Sequence, residues 1–381
     1  MTDIRVTRTT LADGRELIYF DDDPSYTTGE KTRELTDPRD LPAATTESEM
    51  RCDPLTGDWV VYAAHRMNRT FMPPADLNPL APSHPGKHPT EIPARDYNVV
   101  VFENRFPSLS THMHIPDDFA HLVDGIELVP RQPAYARCEV VCFTPEASQS
   151  FKDLSLTRAR TVIEAWAHRT AELSRIKGVR LVFPFENRGE EIGVTLQHPH
   201  GQIYSYPFLP ARAQAIVNRA RAHQERTGRD LFDDYLTAEL EAGTRIVVAG
   251  KQWVVFVPAA AKWPVELMVM PRRHVADFAE LSNPEKDELA RIYLTVLQAL
   301  DHFFEGVDKT PYIAGWNQAP VGADRTFGRL HLQLFSLMRS PHRLKYLAGS
   351  ESAQGAWISD TTPERIAQRF RDLLEGKIDV L

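Results

Sequence analysis

The residues best suited to chemistry fall in one run, Gln197-His198-Pro199-His200-Gly201-Gln202-Ile203-Tyr204. In an extended backbone side chains alternate, so His198, His200 and Gln202 share a face at steps of roughly 7 Å. Pro199 and Gly201 fall on the other face. Proline withholds a ladder donor, so an edge, a bulge or an irregular strand is expected here. An imidazole with an ordinary pKa of about 6.5 offers an unprotonated nitrogen at neutral pH, which can attack phosphorus. Gln202 can donate its amide to a phosphate oxygen. On spacing alone a His-x-His pair also suits a metal ion. No packing need asks for this order of histidine, proline, histidine, glycine and glutamine.

Directly upstream lie Phe185-Glu186-Asn187-Arg188-Gly189 and Gly193-Val194-Thr195. Loops of this kind let backbone N–H groups approach phosphates. By itself a glycine-containing loop is a bland connector; its place ahead of the histidines gives it weight.

Short apolar runs of strand length must carry these residues: DWVVYAA at 58–64, NVVVF at 98–102, CEVVCF at 138–143 and VRLVFPF at 179–185. A helix is expected between the last two, with Ser155 as N-cap and Gly178 at its close. After Pro210 a charged, helix-prone bridge leads to a second block that echoes the first. Trp59-Val-Val is answered by Trp253-Val-Val, CEVVCFTP by VELMVMPRRH, and HPHGQIYSY by RLHLQLFSL at 329–337. The helix at 155–177 is answered by one at 284–305, opened by a capping box at Ser282 and Glu285 and closed by Gly306. A third helix follows Thr362-Pro363-Glu364. Residues 4–20 read as a hairpin turning at Asp13-Gly14, taken as an appendage, and 21–49 as a polar linker, with the main fold starting near Arg51.

The chain has 381 residues, 42% apolar and 25% charged, with a net charge of −8. That composition supports a sizeable core and argues against general nucleic-acid binding, which needs a basic stripe. No run approaches the length of a membrane helix and no signal-peptide core opens the chain, so a cytoplasmic protein is expected. Cys138 and Cys142 lie too far apart along a strand to bridge, and with Cys52 they are expected to be free thiols.

The segments DPLTGDWVVYAAHRMNR, VFENRF, VFPFENRGEEIGVTLQHPHGQIY and LKYLAGSE occur in the order found in galactose-1-phosphate uridylyltransferases, the transferase branch of the histidine-triad superfamily. The chain resembles that family from about residue 50 to about residue 375. The resemblance implies an α+β protein, a histidine-triad-like fold duplicated in one chain, with two mainly antiparallel sheets and packed helices. An N-terminal extension would occupy 1–49, a catalytic half 50–210 and a second half 211–381. His200 would be the nucleophile that takes a uridylyl group, oriented by a backbone carbonyl at its other nitrogen. Gln202 would hold a phosphoryl oxygen, and His198 completes the catalytic set. Phe185, Asn187, Gly193 and Thr195 match positions lining the nucleotide phosphates and sugar, and Asn104 a position near the uridine. Arg66 and Arg69 match a phosphate-facing pair. Lys345 and Glu351 match hexose contacts, and in family dimers several of all these site residues come from the neighbouring subunit. A homodimer with shared active sites is therefore expected, acting on UDP-hexose and hexose 1-phosphate, with no nucleic-acid or membrane partner.

The sequence departs from the family at its metals. Many members hold zinc through a Cys-x-x-Cys pair, a further histidine and the first histidine of the HPH motif; here the pair reads Asn78-Pro79-Leu80-Ala81. A second family metal site falls on Ile216, Asn317, His331 and Gln333, of which one histidine remains. No metal cofactor is expected, and His84 and His88 read as residues of a solvated loop rather than as substitute ligands. The expected reaction is double displacement through uridylyl-His200. The alternatives are a phosphorylase or hydrolase using the same histidine, and a non-catalytic nucleotide or metal sensor.

Overall fold

The computed structural model describes residues 3–33, 35–68 and 72–376. Arg69 lies outside the described residues. The first half carries strands β1 (Arg5–Thr10), β2 (Glu16–Asp21), β3 (Glu49–Cys52), β4 (Trp59–Tyr62), β5 (Val99–Glu103), β6 (Arg131–Pro133), β7 (Arg137–Cys142), β8 (Leu181–Arg188) and β9 (His200–Tyr206). Its helices are the short α1 (Pro24–Thr27) and α2 (Leu156–Leu173). Helices α3 (Ala211–Thr227) and α4 (Leu231–Ala242) bridge to β10 (Ile246–Ala249), β11 (Trp253–Phe256) and β12 (Val265–Pro271). Then follow α5 (Asn283–Asp301), β13 (Tyr312–Asn317), β14 (His331–Ser336), β15 (Met338–Ser340), β16 (Arg343–Leu344), α6 (Gly349–Gln354) and α7 (Pro363–Leu374).

Eleven strands form one antiparallel sheet in the order β1-β2-β5-β7-β9-β8-β13-β14-β12-β11-β10. Two half-sheets, one per repeat, meet edge to edge where Tyr312 pairs with Arg188 and Gly315 with Phe185. Read outward from this seam, β8, β9, β7 and β5 are answered by β13, β14, β12 and β11. The internal duplication is therefore a pseudo-twofold arrangement of strands. β5 and β11, valine-rich and buried along their whole length, are strands covered on both faces.

Helices α2 and α5 pack together on one face of the sheet. Ser155 caps α2 by accepting from the Arg158 N–H at 3.1 Å, and Ser282 with Glu285 forms the capping box of α5. Between them Phe151, Trp166, Tyr293 and Trp316 make an aromatic cluster, with Phe151 stacked on Trp166 at 5.9 Å and Trp166 at 5.8 Å from Trp316. Such contacts join the halves into one core. The other face is covered differently in each half. Leu80, Ile92 and Tyr97 cover β5 and β7, while Ala220, Phe232 and Leu236 of α3 and α4 cover β11.

Three expectations change. The hairpin is no appendage: Leu17, Ile18, Tyr19 and Phe20 are buried and pair with β5, so it extends the main sheet. Ile18 and Phe20 join the core under α2 while Leu17 and Tyr19 join the cluster on the other face, and a strand beside an open edge is drawn into pairing. The strand opened by Trp59 belongs to a separate three-stranded sheet with β3 and β6, and the counterpart of the Trp253 strand is β5. Finally, β9 is an interior strand between β7 and β8. Pro199 sits one residue before its start, so the ladder loses no donor. Cys52, Cys138 and Cys142 are free thiols, the last two buried. Among the described residues no helix is long and apolar enough to cross a membrane.

An ion network ties hairpin, sheet and helix together. The Arg169 guanidinium on α2 grips Glu139 of β7 with two bonds of 2.9 and 2.7 Å, both residues being almost fully buried. Arg137 also donates to Glu139, at 2.8 Å, and Arg8 of the hairpin reaches Glu172 of α2 at 2.6 Å. Removing one partner strands a buried charge. Arg169→Met is expected to cost about 3 kcal/mol in denaturant unfolding, against less than about 1 kcal/mol for the half-exposed Arg8→Met.

Candidate active site

β9 presents His200 and Gln202 on the face away from α2, while Gly201 and Ile203 point into the core. Gly201 is required by close approach. A Cβ there would meet the Phe143 ring at 2.8 Å and the Phe185 carbonyl oxygen at 3.0 Å. The His200 Nδ1–H donates to the His198 carbonyl at 2.7 Å. That bond places the ring proton on Nδ1 and leaves the Nε2 lone pair with no partner among the described residues. Burial pushes the imidazole pKa down, partly offset by the carbonyl, so the ring is a neutral base.

His200 lies between two cavities. One, of about 150 Å³, is lined by Arg66, Asn104, Phe106, Thr195 and Gln202. The other, of about 320 Å³, has Asn187, Gly189, Gln197, Lys309 and Ser150 in its wall. The structure thus brings Arg66, Asn104, Asn187, Thr195 and Gln202 around one imidazole. Phe185 pairs with Gln202 across the β8–β9 ladder and sets its ring at 5.1 Å from Tyr204. Gly193, at a φ of 78°, closes the short turn that leads to Thr195. Arg66 donates to the Phe106 carbonyl at 2.7 Å, and the Asn104 side chain accepts from the Phe106 N–H at 2.9 Å, so the Asn104–Phe106 loop is held from both ends.

Other candidates lie elsewhere. His198 does not share the open face of His200, because the regular strand begins only at residue 200. Its ring is 3% exposed and turned inward to Tyr97 and Thr144, and burial lowers its pKa to about 4. Lys345 and Glu351 pair with each other at 2.7 Å, buried in the second half, and do not reach the cavities of His200 within one chain. His84 and His88 are exposed. Residues that the motifs did not single out are Tyr97, Lys309 and Arg105. Only Arg105, inside VFENRF, had a signal.

The second half repeats the posture without the equipment. His331 donates from Nδ1 to the Arg329 carbonyl at 2.8 Å, as His200 does to His198. Gln333, the counterpart of Gln202, is tied to Glu266 at 2.7 Å, and Asn317 pairs with His331 across the ladder. Ile216 and His331 line an apolar cavity of about 590 Å³. Among the described residues no three His, Cys, Asp or Glu side chains are grouped to hold a metal ion.

A neutral histidine whose Nε2 has no partner among the described residues, an amide two residues on and a glycine-bearing loop make an arrangement suited to group transfer through a histidine. Models for the N-terminal and C-terminal domains of galactose-1-phosphate uridyl transferase match residues 39–210 and 217–379. The galactose-1-phosphate uridylyltransferase of Streptomyces lividans is 41% identical, over 98% of this chain and 99% of its own. That of Thermotoga maritima is 32% identical over 85% of this chain and 98% of its own. A solved uridylyltransferase structure superposes with a TM-score of 0.75 at 30% identity, covering 86% of this chain and 99% of its own. The chain belongs to the galactose-1-phosphate uridylyltransferase family.

Two outcomes follow from this geometry. Gly201→Ala is expected to cost about 1–3 kcal/mol, through overpacking against Phe143, and to slow turnover by displacing His200. On the opposite face Glu186 is 4% exposed, and burial raises its pKa to about 7 despite Tyr312 and Arg188. Its folded pKa exceeds the unfolded value, so stability is full below pH 4.5 and falls as pH rises to about 7, where the unfolded chain has released its proton first. The fall is on the order of 3 kcal/mol. Glu186→Gln should flatten that slope in unfolding measured from pH 5 to 8.

Proposed function

We propose that the protein moves a uridylyl group between UDP-hexose and hexose 1-phosphate by double displacement at His200. The carrying observation is the 2.7 Å bond from His200 Nδ1 to the His198 carbonyl, which aims Nε2 at the junction of two cavities. Nε2 attacks the α-phosphorus, a phosphorus–nitrogen bond forms, and the bond to the departing hexose 1-phosphate breaks. The ring becomes a cation whose Nδ1–H still points at a carbonyl oxygen, which stabilises the charge. A phosphate oxygen of the second hexose 1-phosphate then attacks phosphorus and releases the imidazole. Two inversions at phosphorus give net retention.

Gln202 and Thr195 sit where they can donate to phosphoryl oxygens, and Arg66 supplies positive charge to the same cavity. The bonds broken and formed are alike, so the protein contributes orientation and charge stabilisation rather than driving force. Lys345 and Glu351 would serve the site of a second copy in a homodimer. Next to that pair along the chain or through its hydrogen bonds, Tyr346 at 81% and Ile358 at 58% are exposed, which suits a partner surface. The three free thiols suit the reducing cytoplasm.

The test is intact-mass analysis after incubation with UDP-glucose alone. A uridylyl-sized adduct is expected on wild type and none on His200→Ala, with discharge by galactose 1-phosphate. Discharge by inorganic phosphate or water alone would instead establish a phosphorylase or hydrolase, and an adduct persisting in His200→Ala would remove the assigned nucleophile.

A further inference from the structure

The family resemblance puts zinc on the first histidine of the HPH motif, and the surroundings of His198 do not fit a metal ion. A ligand nitrogen must offer a lone pair, and both ring nitrogens of His198 are engaged within the chain. The Asn78 side-chain oxygen accepts from the Leu80 N–H at 3.0 Å, which turns the Asn78 Nδ2 toward His198. Nδ2 stands 2.9 Å from His198 Nδ1 and donates to it. The ring proton therefore lies on Nε2, which is 2.8 Å from the Thr144 carbonyl oxygen and 2.7 Å from the Tyr97 hydroxyl. An amide N–H occupies the one lone pair a metal could use.

The same contacts secure the backbone around His198. Tyr97, 1% exposed, also reaches the Thr144 carbonyl at 2.7 Å and the Leu80 carbonyl at 3.0 Å. Leu80 is thus held at its N–H by Asn78 and at its C=O by Tyr97. With its ring clamped on two sides, His198 has its own carbonyl fixed toward His200 Nδ1. A fully satisfied buried polar network has one low-energy arrangement.

We infer that a metal-free relay of Asn78, His198 and Tyr97 orients the nucleophile in this protein, and that Asn78 and Tyr97 are positioning residues for the transfer. This rests on the reading of His200 as the uridylyl acceptor. A small rotation of the His198 peptide would swing Nε2 off the line of attack, so loss of the relay should lower the rate of the chemical step more than substrate affinity.

The experiment follows uridylyl-enzyme formation from UDP-glucose by rapid quench, on full-length protein dialysed against EDTA with its metal content measured. Ring ¹⁵N NMR of the same protein without substrate reads the His198 tautomer. Wild type is expected to keep its rate with less than stoichiometric metal and to show His198 protonated on Nε2. Asn78→Ala should slow adduct formation at saturating UDP-glucose about ten- to a hundredfold, with KM within about threefold, and mix the tautomers. Asn78→Asp, whose carboxylate can only accept, should move the ring proton to Nδ1. Tyr97→Phe leaves the Thr144 carbonyl in place and should cost about threefold. Three results would each overturn the inference: loss of wild-type activity on chelation with recovery on Zn²⁺, an unchanged rate in Asn78→Ala, or wild-type His198 protonated on Nδ1. Failure of wild type to take up a uridylyl group under any metal condition would refute the proposed reaction instead, leaving the tautomer still readable.

Discussion

Everything at this site depends on one hydrogen bond, from the ring of His200 to a carbonyl two residues earlier on the same chain. Its direction decides which nitrogen keeps a lone pair, and its rigidity decides where that nitrogen points. The His200 end of the bond is held because β9 is clasped between β7 and β8, and the His198 end because its ring meets Asn78, Tyr97 and Thr144. On its core side Gly201 lets the Phe143 ring and the Phe185 carbonyl approach so closely that the backbone has no slack.

The duplicated architecture sets one histidine posture in two different surroundings. Both halves build the strand pair β8–β9 or β13–β14, and both orient a histidine through a carbonyl two residues before it. Around His200 stand an amide with no partner among the described residues, a glycine loop and two cavities. Around His331 the corresponding amide is spent on Glu266, and the cavity is walled by apolar side chains such as Ile216 and Met268. A shared fold thus fixes the posture of an imidazole, while the surrounding side chains decide whether it reacts. The seam between β8 and β13 is also braced electrostatically, since Arg188 beside the site pairs with Asp301 at the end of α5 and stacks 4.4 Å over Tyr312.

Local signals read well where the physics is local. Ser155, Ser282 with Glu285, and Thr362 each cap the helix their neighbours suggested, because a cap is satisfied within one turn. The valine-rich runs at 98–102 and 138–143 became buried strands, and the HPHGQ run set His200 and Gln202 on one face of β9, as a period of two implies. The Trp59 echo misled because a Trp-Val-Val strand looks the same in any sheet. Pairing partners, which lie far along the chain, decide membership.

The sequence by itself determined the helix caps, the duplication and the reading Asn78-Pro79-Leu80-Ala81 in place of a Cys-x-x-Cys pair, since these are matters of residue type and spacing. Tertiary structure alone decided that the N-terminal hairpin belongs to the main sheet and that β9 is interior. It also decided that His198 faces Asn78 and Tyr97, residues 120 and 101 positions away. Lys345 and Glu351 met each other rather than His200 for the same reason. Side-chain direction is set by which distant strands and loops pack together, and no local pattern of residues encodes that.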